Sequence, residues 1–102
     1  MPLELLAPDW DAPTNIRALT STRLGGTSLG AFASLNLGDH VGDDPARVAA
    51  NRALLRDALR LPNEPSWLEQ SHGCDVADAD GVFATRPRAD AAVARRPGRV
   101  CV

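Results

Sequence analysis

Beside its 13 carboxylates, this chain of 102 residues carries few side chains that bind metals or act as bases: two histidines, His40 and His72, and two cysteines, Cys74 and Cys101. His72 precedes Cys74 by two positions, but there is no Cys-x-x-Cys pair and no cysteine stands at ligand spacing from a histidine. A lone imidazole in a strand-like segment has two readings: packed or hydrogen-bonded inside the fold, or a ligand to a metal. His40, in Asp39-His40-Val41, either lines a pocket or sits in a turn paired with Asp39 or Asp43. Arg23 either grips a phosphate or carboxylate through its planar fork or closes a strand-end salt bridge. Asn36 either places a substrate by hydrogen bonds or caps a turn with its own side chain. Asp90 either orients a ligand or closes a turn. Gly25, Gly26 and Gly30 do not form a phosphate loop, because no Gly-Lys-Ser/Thr ending follows. Asp75, Asp78 and Asp80 alternate with Val76, Ala77 and Ala79 and read as a solvated loop rather than a cation site.

The elements that must hold these groups are unevenly legible. Residues 44–61 give the clearest signal, a helix. Asp43 or Asp44 is the N-cap, and Pro45 suits the first turn. Val48, Leu55 and Leu59 share a face, with Ala58 beside them. Asn51 falls on that same inward stripe. An unpaired buried amide costs about 1–3 kcal/mol, so Asn51 is expected to tie the helix to the Asn36 loop. Pro62 closes the helix. Alternation over residues 16–22 predicts a strand ended by Gly25-Gly26, and 66–72 a second strand, with Leu68, Gln70 and His72 on one side. Gly73 permits a turn, an extended segment runs from Val76 towards Phe83, and a further strand begins near Val100. Trp10, in a leading segment rich in proline and acid, is expected to anchor into the core.

Composition excludes several classes. Apolar residues make up 44% and the formal net charge is −2, which fits a globular domain and gives no electrostatic footprint for nucleic acid. Arginines 86, 88, 95, 96 and 99 make one basic stretch, but Pro87, Pro97 and Gly98 interleave them as in an exposed loop. No apolar run approaches the length of a membrane span and no signal peptide is visible, so a cytoplasmic location and two free thiols are expected.

Four local patterns, in order, resemble one family. They are Ser21-Thr22-Arg23-Leu24-Gly25-Gly26-Thr27-Ser28; Ser34-Leu35-Asn36-Leu37-Gly38-Asp39-His40-Val41-Gly42-Asp43 with Asn51-Arg52 on the following helix; Trp67-Leu68-Glu69-Gln70-Ser71-His72-Gly73; and Ala89-Asp90-Ala91 with Pro97-Gly98 and Val100. Together they are similar to the YfiH family, also described as laccase-domain or multicopper polyphenol oxidase-like proteins. The resemblance covers nearly the whole chain and about the N-terminal two-fifths of a typical member. It implies an α+β fold, a mixed β-sheet with flanking helices, of which residues 1–102 would be the N-terminal part of a single domain.

The resemblance also implies a site of one cysteine and two histidines holding zinc or copper. The first histidine of the family lies in a Gln-Val-His-Gly motif, which maps onto His72; Ser71 stands where valine is usual, which would loosen packing beside the ligand. The family cysteine, in Thr-Ala-Asp-Cys, and its second histidine, in His-Ala-Gly-Trp, have no counterpart here, and Cys101 is not that cysteine. Implied substrates are small molecules: a purine nucleoside, a phenolic or a peptidoglycan precursor. A catalytic zinc needs about three protein ligands, so the chain alone is expected to hold metal poorly and to be inactive. Arg23, Asn36 and His40 would line the pocket. The competing expectation is a non-catalytic, truncated product or a metal-free module that binds a small ligand.

Overall fold

The computed structural model describes residues 2–81 and 85–102. They divide into two compact units, Met1–Leu59 and Arg60–Val102, and the secondary structure is α+β.

In the first unit, β1 (Leu5–Leu6) pairs antiparallel with β2 (Thr20–Ser21), Leu5 opposite Ser21. A single 3-10 turn covers Gly30–Phe32, and α1 covers Pro45–Leu59. The cap of α1 is Asp44, whose Oδ1 accepts the Ala46 N–H at 2.9 Å. This satisfies one of the amides that a helix start leaves unpaired. The expected end at Pro62 is anticipated by Arg60, which has φ 49. A residue in the left-handed region immediately after a helix turns the chain away from it. Val48, Asn51 and Leu55 are the buried face of α1, and Leu35 is buried in the same unit. Ala58, expected beside that stripe, is exposed.

Two expectations for this unit need correction. The strand predicted over 16–22 shortens to Thr20–Ser21, because the segment before it turns at Pro13, whose carbonyl accepts the Ile16 N–H. Trp10 does not anchor a core. It is 58% exposed and borders an open hollow of about 370 Å³ along residues 7–19.

In the second unit, β3 (Val76–Asp78) and β4 (Ala91–Val93) run parallel, with Val76 opposite Ala91. So Asp78 lies at the start of the extended segment expected from Val76, not in a solvated loop. Phe83, the expected end of that extended segment, lies outside the described residues. The strand predicted over 66–72 reduces to two parallel bridges, Ser66 with Cys101 and Glu69 with Arg88. Pro65, with no N–H to give, precedes the first. His72 then leaves extended geometry altogether, at φ 57. The expected strand start near Val100 survives as the Ser66 contact, whose N–H donates to the Val100 carbonyl at 2.8 Å. Pro65, Ala79 and Ala89 are buried here. Asp80 fastens the basic stretch: its carboxylate accepts the Arg95 and Arg96 N–H groups at 2.9 and 3.1 Å.

Candidate functional site

Each unit carries one candidate. In the first, the segment after β2 and the segment after the 3-10 turn clasp each other through Arg23. Its carbonyl accepts from Ser34 N, Leu35 N and Ser34 Oγ at 2.8, 2.8 and 2.7 Å. Its side chain returns across the clasp, Nε donating to the Ala33 carbonyl at 2.8 Å. Close approach is possible because residue 26 is glycine. A Cβ there would lie 2.6 Å from Leu35 Cα and 2.7 Å from Asn51 Oδ1, and would overlap the Ser34 carbonyl. An open cavity of about 280 Å³ results, lined by Arg23, Ala31, Phe32, Ala33, Leu35 and Asn36.

Asn51 supports this loop from α1, as its place on the inward stripe led one to expect. The side chain is fully buried. Its amide donates to Ser28 Oγ and the Asn36 carbonyl at 2.9 and 2.8 Å, and its oxygen accepts from Thr27 N and Oγ1 at 2.7 and 3.0 Å. The next residue adds a second tie, Arg52 Nε donating to the Leu37 carbonyl at 2.9 Å. Asn36 spends its side chain locally: Nδ2 donates to the Gly38 carbonyl and to Asp43 Oδ2, each at 3.1 Å, and Oδ1 accepts from Gly38 N. Asp43 also accepts the Ser28 hydroxyl at 2.5 Å and the Asp44 N–H at 2.7 Å. The Ser28 hydrogen bond, followed by those from Asn36 and Asp44 and the charge of Arg47, holds its carboxyl below the ordinary value of 3.8 against an opposing desolvation.

So Arg23 and Asn36 share a cavity wall, while His40 lies outside that lining. The His40 side chain is 55% exposed, with Nδ1 3.7 Å from Asp39 Oδ1. Ser28 went unremarked in the sequence. It is 2% exposed and joins Asn51 to Asp43. A small hydroxyl two residues after a glycine pair was its one available signal.

In the second unit the candidate is the turn carrying His72. Asp90, just before β4, reaches back to it. Oδ1 accepts the Ser71 and His72 N–H groups at 3.1 and 2.7 Å; Oδ2 accepts Ser71 Oγ at 3.0 Å and Gly73 N at 2.7 Å. These donors, led by the Gly73 amide, hold the Asp90 carboxyl below its ordinary 3.8. The Ser71 hydroxyl thus supplies a fourth donor. Three successive amides gathered on one carboxylate fix the backbone beneath an exposed imidazole.

Among the described residues, no group of three or more His, Cys, Asp or Glu side chains comes together to hold a metal. Cys74 and Cys101 are exposed and free, and burial pushes the Cys101 thiol up. The donor set present therefore does not make a zinc or copper centre, which needs about three ligands. His72 brings one exposed imidazole.

The chain belongs to the family described as multi-copper polyphenol oxidoreductase laccase, whose model matches residues 17–102. Its relatives are named for a different activity. The chain is 47% identical over 98 residues to purine nucleoside phosphorylase YfiH of Escherichia coli, covering 96% of this chain and 40% of that protein. It is 49% identical over 96 residues to a Pseudomonas aeruginosa purine nucleoside phosphorylase, covering 94% and 38%. The crystal structure of Neisseria meningitidis protein NMB0706 superposes with a TM-score of 0.86 at 41% identity, covering 95% of this chain and 39% of that one. The chain thus spans about 40% of the length of these relatives. Among the described residues, no helix is long and apolar enough to cross a membrane.

Proposed function

We propose that this chain is the N-terminal part of a cytoplasmic, metal-dependent enzyme that acts on purine nucleosides, and that His72 is the metal ligand it contributes. The observation that carries this reading is the Asp90 clamp. A carboxylate that accepts four hydrogen bonds from Ser71, His72 and Gly73 holds one exposed imidazole in a left-handed turn. Backbone held in a sparsely populated region by surrounding bonds is a recurring mark of functional positions. The names of the relatives support the nucleoside class over phenolics or peptidoglycan precursors. Zinc or copper, when bound, would supply Lewis-acid chemistry. The residues of this chain supply the rest of the proposal: Asp90 and Gly73 set the His72 backbone, and Arg23 and Asn36 face a small ligand in the first unit, with His40 nearer solvent. Because one imidazole holds zinc weakly, the 102-residue polypeptide is inactive by itself.

A second reading rests on the Arg23 cavity, which needs no metal: a module that binds a small ligand without catalysis. The two separate in a chimera in which these residues replace the matching segment of the Escherichia coli relative. The enzymatic reading expects phosphorolysis of inosine or adenosine, with turnover and bound metal both lost in H72A. A folded, metal-loaded chimera that is inert, or an H72A chimera as active as its parent, overturns it.

A further inference from the structure

We propose that Arg23 is the seat of an oxyanion, inorganic phosphate, in the cavity that it shares with Ala31, Phe32, Ala33, Leu35 and Asn36. The inference deepens the nucleoside reading, since phosphorolysis consumes phosphate, but it is tested by binding alone.

The first reason is that the side chain is already oriented. Three hydrogen bonds to its carbonyl fix the Arg23 backbone, and a fourth, from Nε to the Ala33 carbonyl at 2.8 Å, fixes the plane of the guanidinium. Long side chains ordinarily lose rotamer freedom when they bind. Here much of that ordering exists before a ligand arrives, which favours affinity.

The second reason is that the fork is unspent. Among the described residues, no carboxylate stands within ion-pair reach of Arg23, and Nη1 and Nη2 make no hydrogen bond. The other arginines of the first unit are engaged. Arg17 and Arg47 donate to the Leu59 and Thr27 carbonyls, Arg52 lies 3.8 Å from Asp39, and Arg56 3.7 Å from Asp57. Arg23 therefore offers four N–H donors and an uncompensated charge.

The third reason is its surroundings. Arg23 is the one charged residue in the lining, and four of the other five lining residues are apolar. Low-dielectric walls concentrate the field of a single charge, and a guanidinium matches a tetrahedral oxyanion bidentately. Asn36 does not compete for the ligand, because both its amide hydrogens are taken by Gly38 and Asp43.

The test is a titration of the isotope-labelled 102-residue chain with sodium phosphate, followed by amide resonances against sodium chloride and sodium acetate at matched ionic strength. Saturable, millimolar shifts confined to Arg23 and residues 31–36 are expected. R23K should weaken binding about tenfold, because a point charge replaces a fork, and R23Q, which also gives up the bond to the Ala33 carbonyl, should abolish saturation while the amide resonances outside residues 22–36 stay in place. Shifts that chloride reproduces, tighter binding of acetate, or R23Q binding like the parent would each overturn the assignment. Phosphate binding without turnover in the chimera leaves this site standing while the catalytic reading falls; turnover with no phosphate at Arg23 does the reverse.

Discussion

The His72 N–H donates to Asp90 Oδ1 at 2.7 Å across eighteen positions of sequence. The relationship is specific: the carboxylate does not touch the imidazole but the peptide from which it projects. Two neighbouring amides and a hydroxyl converge on the same group.

Acid should therefore undo the turn. The donors hold the Asp90 carboxyl below 3.8, so the stabilisation is present above that value and is lost as pH falls through the lower, folded-state value. Asp43, held mainly by Ser28, and Asp80, held mainly by the Arg95 amide, shift in the same direction and add to the same acid limb. Urea midpoints measured from about pH 7 to about pH 3 should fall steeply below 4. In D90N the midpoint at pH 7 should drop and the acid limb should flatten. An unchanged pH profile in D90N would show that the clamp contributes nothing.

Parts of this were legible beforehand and parts were not, for physical reasons. The helix was readable because its signals are local: Asp44 and Pro45 at the start, Val48, Asn51 and Leu55 on one face. The Asn51 tie was readable because an amide on a buried stripe must find partners, and it did. β1 was invisible, being two residues inside a proline-rich segment and defined by its partner at 20–21. The 66–72 segment alternates like a strand, yet Glu69 meets Arg88 and Ser66 meets Cys101 as single bridges. The sequence left Asp90 between two roles because its partners lie 17 to 19 positions away. In the structure it closes the turn from which a candidate ligand projects.

Left-handed geometry at a histidine gives a second expectation. Residue 72 has φ 57, a region that costs a typical residue with a Cβ roughly 1–2 kcal/mol, though histidine visits it more readily than most. H72G should leave the chain as stable as the parent or up to about 1 kcal/mol more stable. A clear loss of stability, seen in the urea midpoint, would mean that the imidazole packs rather than waits for a ligand.

Removing the Asn51 side chain should be costly. N51A takes the partner from the Thr27 amide and the Asn36 carbonyl and removes a donor from Ser28 Oγ, which keeps its bond to Asp43, and each buried unsatisfied group costs roughly 1–3 kcal/mol. Chemical denaturation should show a loss of about 3 kcal/mol or full unfolding, and amide exchange should quicken across residues 27–38. Loss below about 1 kcal/mol would mean that water replaces the amide without penalty.

Two glycines should respond oppositely to a methyl group. In G26A the new atom meets Ser34, Leu35 and Asn51, none of which can withdraw without breaking the clasp. In G30A it meets nothing within 4 Å, and only φ +60 opposes it. Thermal melting should show G30A about 1–2 kcal/mol less stable than the parent and G26A far worse. Equal effects would contradict the close approach at Gly26.

In the proposed reading His72 is the one ligand that the described residues bring to a centre requiring about three. Metal analysis of the 102-residue polypeptide after equilibration with zinc and removal of loosely held ion tests it most directly. Well under one zinc per chain is expected, with the weak residual binding removed by H72A. One tightly held zinc per chain, or residual binding indifferent to H72A, would contradict it.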